Sequence, residues 1–123
     1  MDIQSMITES GVLDLSFRNL TTIPVDVFFH RDKIVHLNLD NNSLKSVPKQ
    51  IGEFTKLESL TLFNNRLQTI PKELSRVPNL QSLDVSHNRL ESLPIEVLKM
   101  KSLKCIKADK DISVPSHLQS TEW

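Results

Sequence analysis

Leucines and other apolar residues recur along this chain in a pattern that repeats every 23 residues. Residues 57–67 read L-E-S-L-T-L-F-N-N-R-L, with apolar side chains at the first, fourth, sixth and eleventh positions and asparagine at the ninth. The column of Leu60 recurs at Leu37 and Leu83, 23 residues away on either side, and more loosely at Leu13 and Ile106. The pattern therefore predicts about five structural units, of which the middle three are regular and the outer two degenerate.

The inner half of each unit is predicted to be a short β-strand followed by a tight turn. Leu60 and Leu62 alternate with other residues, which places two apolar side chains on one face of a strand. Asn65 stands where the chain has to bend, and its side-chain amide can bond backbone groups that the turn leaves unpaired. We interpret the asparagine column as structural and not catalytic, because buried backbone groups need partners in every unit.

The outer half of each unit begins at a proline, which lacks an N–H group and biases the preceding residue towards an extended conformation. Apolar residues three or four apart follow each proline, and this spacing favours a short helical or 3-10 turn over a strand. The first unit has one extra residue, which we assign to residues 28–33. One of Phe28 and Phe29 is expected to fill the core there, while the other is more exposed. The four dipeptides are Ile23-Pro24, Val47-Pro48, Ile70-Pro71 and Leu93-Pro94.

The first eleven residues are predicted to form an N-terminal cap. Residues 2–11 have the pattern of an amphipathic helix that Asp2 begins and Gly11 ends, with Ile3, Met6 and Ile7 on one face. A stack of repeats has to cover its exposed first edge, and this segment is in the right place. The alternative is a helix that binds a partner.

The last residues, 107–123, are predicted to be a degenerate final repeat and a C-terminal cap. Ile112, Val114, Leu118 and Trp123 are the apolar side chains that can cover the edge of the last strand. Trp123 has a second interpretation, as an exposed anchor for a partner. With the repeats at residues 12–106, the chain is expected to form a single domain over residues 1–123.

The 23-residue unit that ends in Leu, Ile or Val followed by Pro resembles the intracellular subclass of leucine-rich repeat proteins that includes the Ras-suppressor and Shoc-like scaffolds. The resemblance covers residues 13–106. It implies an α/β fold, a leucine-rich repeat solenoid with a curved parallel β-sheet on the concave face and short helical or 3-10 turns on the convex face. It also implies binding of other proteins through the concave face, with a small GTPase or a phosphatase as candidate partner classes.

Composition narrows the possible partners and the compartment. Fifteen basic and fifteen acidic residues cancel, so the chain lacks the charge of a nucleic-acid binder or a polybasic membrane anchor. Cys105 is the only cysteine, which excludes an intramolecular disulfide, and the N-terminal residues do not resemble a signal peptide. We therefore expect a cytoplasmic, monomeric protein with no membrane partner. Two glycines leave no glycine-rich phosphate-binding loop, and no cofactor or metal is expected.

The residues that alternate with the core leucines are the candidates for partner binding, because they point out of the sheet. Phe17 and Phe63 stand out among them, since a large exposed aromatic side chain is well suited to anchor a partner. An alternative for Phe17 is that its ring folds back onto the N-terminal cap. The predicted concave-face residues are Asp14, Phe17, His36, Asn38, Asp40, Thr61, Phe63, Asp84, Ser86, His87 and Lys107.

Enzymatic interpretations of the same face are weak. Asp84, Ser86 and His87 are the residue types of a hydrolase triad, but near-adjacent strand residues do not readily place a base between a nucleophile and a carboxylate. His36 and His87 are separated by two strand spacings of about 4.8 Å each, too far for one zinc ion without other ligands. Cys105 has no recognisable histidine partner in the sequence and is better explained as a small edge-strand residue.

The sequence therefore predicts a non-enzymatic protein-binding module, or a small scaffold in intracellular signalling, that acts through its concave face. One alternative is a structural fragment of a larger repeat array. Another is an adaptor that delivers a substrate to an enzyme and has no activity of its own.

Overall fold

The computed structural model describes residues 1–119, and the predicted role of Trp123 lies outside these residues. The strands are β1 (Val12–Asp14), β2 (His36–Asn38), β3 (Ser59–Thr61), β4 (Ser82–Asp84) and β5 (Cys105–Lys107). The α-helices are α1 (Ile3–Met6), α2 (Val25–Phe29) and α3 (Ile95–Leu98), and the 3-10 helices are η1 (Lys49–Glu53), η2 (Lys72–Arg76) and η3 (Ser116–Leu118). No helix within the described part of the chain has the length and apolar character needed to cross a membrane.

The five strands form one parallel sheet in the order β1-β2-β3-β4-β5, the same as their order in the chain. Leu13 pairs with Leu37, Leu37 with Leu60, Leu60 with Leu83, and Leu83 with Ile106. Residues that pair between neighbouring strands are thus 23 positions apart in the chain, or 24 between β1 and β2, as the repeat in the sequence predicts. The predicted solenoid of five repeats, with short helices on the face opposite the sheet, is confirmed.

The core lies between the sheet and the helices and is made almost entirely of leucine, isoleucine and valine. Leu60 and Leu62 are completely buried. Asn65 is also buried: its side-chain amide donates to the carbonyls of Leu39 (3.0 Å) and Leu62 (3.2 Å), and its Oδ1 accepts from the N–H of Leu44 (3.0 Å). Asn42 and Asn88 make the same contacts in the adjoining repeats, so this column has the predicted structural role.

Each short helix on the convex side begins just after a proline, as the sequence predicts. The helices of the second and third repeats, η1 and η2, approach each other closely. A Cβ atom at Gly52 in η1 would lie 2.5 Å from the carbonyl oxygen of Glu73 in η2, so only glycine fits this contact. The expectation for the phenylalanine pair is also confirmed: Phe28 packs edge-on against the buried ring of Phe54, with centroids 5.7 Å apart, and Phe29 is exposed.

The N-terminal helix is shorter than the sequence predicted. Asp2 accepts the N–H of Ser5, as an N-terminal cap should, but α1 ends at Met6 because Ile7 is extended. Gly11 does not end the helix, and that expectation was wrong. Its backbone has φ +86° at the entry to β1, and a Cβ there would lie 2.7 Å from Val35 Cγ2. Glycine is needed at this position for the close approach of neighbouring chain segments.

Apolar side chains from both ends enter the core. Ile3 from α1 is 2% exposed, and Leu118 from η3 is completely buried. Ile112 is also buried, and Val114 packs partly against the same core. Beyond η3, Gln119 forms a single parallel bridge with Ile106 of β5. The last strand is therefore covered at one point of its outer edge.

Candidate functional site

The sheet face opposite the leucine core is the concave face, and its side chains form rows across the strands. Because neighbouring strands are in register, each row takes one residue from each repeat. All the predicted partner-binding residues lie in these rows. The rows are Val12, His36, Ser59, Ser82, Cys105; then Asp14, Asn38, Thr61, Asp84, Lys107; then Ser16, Asp40, Phe63, Ser86, Asp109; and finally Phe17, Asn41, Asn64, His87 where the chain turns.

Asp14 lies at the first-repeat end of this face and is held in its charged form. The hydroxyl of Ser16 donates to Asp14 Oδ1 over 2.7 Å, and the N–H of Ser16 donates to the same atom over 3.0 Å. These hydrogen bonds, helped by the charge of Arg18, lower the pKa of Asp14 although its slight burial opposes the change. Asp14 is exposed and can therefore present a full negative charge to a partner.

Asp40, near the middle of the face, has the opposite electrostatic environment. Burial raises its pKa, and the negative charges of Asp84 and Asp14 act in the same direction. The N–H of Phe63 donates to Asp40 Oδ1 over 2.9 Å and partly offsets the rise. The Thr61 hydroxyl lies near enough to lower this pKa as well, although its oxygen is buried without a hydrogen bond of good geometry. A positive charge brought to this point would stabilise the ionised Asp40.

Asp84 and Ser86 form a closed pair and offer little surface. They are 7% and 4% exposed, and the Ser86 hydroxyl donates to Asp84 Oδ1 over 2.6 Å. The ring of His87 instead contacts the ring of Phe63 and lies near the carboxylate of Asp109. These three residues do not have the arrangement of a hydrolase triad, in which the imidazole lies between the hydroxyl and the carboxylate.

Phe63 and His87 form an aromatic pair at the carboxyl ends of β3 and β4. Their ring centroids are 4.8 Å apart, and the ring planes are inclined by 56°. The N–H of His87 donates to Asp109 Oδ1 over 2.8 Å, and His87 Nδ1 lies 4.0 Å from the same oxygen. Phe63 is half-buried, so it contributes one ring face and not a protruding side chain.

Phe17 protrudes from the face. It is 77% exposed, so the alternative in which its ring folds back onto the N-terminal segment is wrong. Its backbone has φ +57°, in the left-handed region that a bulky residue rarely adopts. The equivalent residues Asn41, Asn64 and His87 have the same conformation. Phe17 therefore occupies a turn position that asparagine fills in two other repeats. It lies one row and two repeats away from Phe63.

Two residues of this face outside the predicted binding set, Asn64 and Asp109, also make side-chain contacts. The side-chain amide of Asn64 donates to Asn41 Oδ1 over 2.9 Å, so the turn row carries an amide pair between Phe17 and His87. The side-chain carboxylate of Asp109 accepts the N–H of His87. In the first repeat the equivalent N–H, that of Phe17, donates to the backbone carbonyl of Asp40. The feature of the sequence that indicates both residues is their position in the repeat columns.

The remaining predicted residues complete the rows. Asn38 Oδ1 accepts the N–H of Asp40 over 2.9 Å, and Lys107 extends the row of Asp84 on β5. His36 begins β2 and is half-buried, two strands and several rows away from His87. Over residues 1–119, the structure contains no group of three His, Cys, Asp or Glu side chains that could hold a metal ion.

Solved structures with a similar architecture include proteins from two very different organisms. A leucine-rich repeat protein of Leptospira interrogans matches with a TM-score of 0.69 and 25% identity over 84% of this chain and 32% of its own. The leucine-rich repeat ectodomain of the plant membrane receptor kinase GASSHO1/SCHENGEN3 of Arabidopsis thaliana, solved with CASPARIAN STRIP INTEGRITY FACTOR 2, matches with a TM-score of 0.65 and 38% identity. That match covers 76% of this chain and 12% of the receptor structure. The chain thus spans less than a third of the length of either protein.

The sequence itself also matches a known family. No curated protein matches the chain. The family described as Leucine rich repeat matches residues 12–67 and again residues 35–90, which together include β1 to β4 and most of the concave face. The strand register, the asparagine column and this match agree, and the chain belongs to the leucine-rich repeat family.

Proposed function

We propose that this protein is a non-catalytic binding module, or a small scaffold, that holds a protein partner on its concave face. Leucine-rich repeat proteins generally act in protein–protein interactions, and the receptor ectodomain described above was solved in complex with CASPARIAN STRIP INTEGRITY FACTOR 2. The observation that carries the proposal is Phe17: a 77% exposed aromatic ring on a left-handed residue adds nothing to the core and strains the backbone. Such a side chain is best explained by a contact with another molecule.

The charges of the face indicate the chemistry of the partner. Asp14 and Asp40 lie in the first and second repeats, while Lys107 lies at the far end of the face, in β5. A complementary protein surface would carry an apolar group that contacts Phe17 and Phe63, with Lys or Arg side chains around it. Asp84 is largely buried and contributes to the field more than to direct contacts.

The resemblance to the Ras-suppressor and Shoc-like scaffolds supports a narrower form of the proposal. In that form the protein is cytoplasmic and acts in signalling, with a small GTPase or a phosphatase as its partner. The assignment of residues 1–11 and 107–123 as caps of a single domain is part of the same proposal. The burial of Ile3 and Leu118 supports it.

The anchors can be tested with calorimetry on a partner that has been captured, identified and purified. Phe63→Ala should weaken binding by about 1–3 kcal/mol, as the loss of an interface anchor does. Phe17→Asn should weaken binding by a similar amount, and it should also raise the free energy of unfolding by about 0.5–1 kcal/mol. Asparagine tolerates the left-handed conformation and already fills the equivalent positions 41 and 64.

A convex-face variant provides the control. Lys72→Glu changes an exposed charge on η2, away from the sheet, and should leave the affinity unchanged. Asp40→Lys should slow association more than it speeds dissociation, and high salt should hide the difference. If Lys72→Glu abolished binding while Phe17→Asn and Phe63→Ala bound as tightly as the parent, the concave face would not be the binding site.

A further inference from the structure

The convex side of the first repeat carries an exposed apolar stripe. Val25 and Phe29 lie four residues apart on α2 and are 65% and 70% exposed, while Val27 between them is completely buried. Residues four apart on a helix lie on the same face. The stripe therefore faces solvent on the opposite side of α2 from the core.

The same positions in the next two repeats show that the fold does not need apolar residues here. Counting from the proline that precedes each helix, Val25 corresponds to Lys49 in η1 and Lys72 in η2, and Phe29 corresponds to Glu53 and Arg76. Those four residues are charged and exposed in the same architecture. In the fourth repeat the pair is Ile95 and Lys99, with a single apolar residue. The complete stripe is thus specific to the first repeat.

An apolar cleft adjoins the stripe. It has a volume of about 420 Å³ and lies between the convex segments of the first and second repeats. Val25 is part of both the stripe and the cleft wall, and Phe29 protrudes next to Phe28 of that wall. The lining consists of Ile23, Val25, Phe28 and Pro48 with the uncharged polar residues Thr22, Ser46 and Gln50. One surface therefore presents both a protruding ring and a recess for an apolar side chain.

We propose that this surface, which we call the α2 patch (Val25, Phe29 and the cleft), pairs with the α2 patch of a second copy in a two-fold symmetric dimer. In such a dimer the same surface meets itself, so each Phe29 can enter the cleft of the other copy. The proposal concerns the convex side and is independent of the proposed concave-face function. It replaces the simple monomer expected from the sequence with a concentration-dependent equilibrium.

The charges at the patch fit a second copy. Asp26 follows Val25 and Lys49 follows Pro48, and both side chains are exposed. Within residues 1–119, neither side chain forms a hydrogen bond or an ion pair. In the proposed dimer the two-fold axis passes between these two side chains, so that Asp26 of each copy faces Lys49 of the other. The formal charge of the chain is zero, so two copies approach without net repulsion.

The test is the mass of the purified full chain in sedimentation equilibrium over a range of concentrations. The parent should shift from 14.1 kDa towards twice that mass as concentration rises. Val25→Lys with Phe29→Glu reproduces the residues of the second repeat, so it suits the fold, and it should raise the dimer dissociation constant at least about tenfold. Ile95→Lys removes an exposed apolar residue at the equivalent position of the fourth repeat, and the dissociation constant should change less than about twofold.

Charge exchange tests the two-fold pairing directly. Asp26→Lys alone and Lys49→Asp alone should each weaken the dimer about three- to tenfold, because like charges then meet at both ends. An equimolar mixture of these two variants should recover the parental affinity, since each Lys then meets an Asp. A parent that stays at 14.1 kDa at the highest soluble concentration overturns the proposal, whatever else the patch then binds. An Ile95→Lys variant as impaired as Val25→Lys/Phe29→Glu, or a mixture no tighter than the single variants, also overturns it.

Discussion

At the scale of single residues, the asparagine column shows how one side chain joins two repeats. Asn65 donates to a carbonyl of its own repeat, at Leu62, and to a carbonyl of the preceding repeat, at Leu39. Its oxygen accepts the N–H of Leu44, also from the preceding repeat. A leucine at this position would leave the buried N–H of Leu44 without its acceptor, whereas the carbonyls of Leu39 and Leu62 would keep the amides of Asn42 and Asn88 as donors.

We expect Asn65→Ala to lower the free energy of unfolding by about 1–3 kcal/mol, because it leaves the buried N–H of Leu44 without a partner. Urea denaturation measures this change. Asn79→Ala is the matched control, since that amide makes one exposed hydrogen bond, to the carbonyl of Thr55. It should cost less than about 1 kcal/mol. Equal effects of the two substitutions would contradict the structural role of the column.

The two carboxylates of the concave face should affect stability in opposite directions as pH changes. The raised pKa of Asp40 means that its contribution to stability is fully present below 3.8 and is lost as pH rises through the folded-state value. The lowered pKa of Asp14 means that its contribution is present above 3.8 and is lost as pH falls through the folded-state value. As pH rises from 3 to 7, the stability of Asp40→Asn should therefore increase relative to that of the parent. Over the same range the stability of Asp14→Asn should decrease relative to that of the parent.

Thermal melts of both variants and the parent at several pH values would measure these trends. The effects should be small, because Asp14 is exposed and Asp40 is only partly buried. Asparagine keeps an acceptor for the N–H of Phe63 or of Ser16, so the hydrogen bonds change little. Parallel curves for the two variants would show that the environments of these carboxylates are not opposite.

At the scale of elements, the short convex helices differ in type although their sequences follow one pattern. The helices of the first and fourth repeats are α-helical, and those of the second and third are 3-10. The sequence predicted their positions from the prolines but not which type each would adopt. Gly52 shows one reason: η1 approaches the backbone of η2 so closely that its geometry depends on the neighbouring repeat. A period within one unit does not contain this information.

Gly52→Ala should destabilise the protein by about 1–3 kcal/mol, because the new Cβ would lie 2.5 Å from the backbone oxygen of Glu73 and one of the two helices has to move. Urea denaturation provides the measurement. Lys72→Ala changes an exposed side chain in η2 and should stay within about 0.5 kcal/mol of the parent. A neutral or stabilising Gly52→Ala would mean that η1 and η2 can separate without cost.

At the scale of the whole molecule, the sequence predicted the fold better than the chemistry of its surface. The strand register follows from counting residues, since each leucine column is one row of the sheet. The alternation of side chains also placed the predicted binding residues on the face opposite the leucine core. It did not predict that Asp84 is nearly buried or that the ring of Phe63 contacts the ring of His87. These contacts form between repeats and depend on side-chain conformations, which periodicity does not specify.

Deletion of residues 1–10 tests whether the N-terminal segment is a cap. Ile3 is 2% exposed in the core next to β1, so its loss should uncover the first repeat and make unfolding less cooperative. Urea melts in the Val25→Lys/Phe29→Glu background exclude any contribution from the α2 patch. Gln4→Ala, on the exposed side of α1, is the control and should not change the transition. A deletion variant with the parental transition would show that the segment does not cap the stack.

The order of the strands also determines how the molecule would respond to a pulling force. Strand order equals chain order, so each strand pairs only with the repeats before and after it. Tension applied at the two termini therefore loads the outermost repeats first, and each repeat that detaches leaves the next one as the new end. Every 23-residue repeat released in this way adds at most about 76–83 Å of extended chain. The solenoid would lengthen in steps of one repeat from its ends, while the middle repeats, joined by Asn65 and Gly52, separate last.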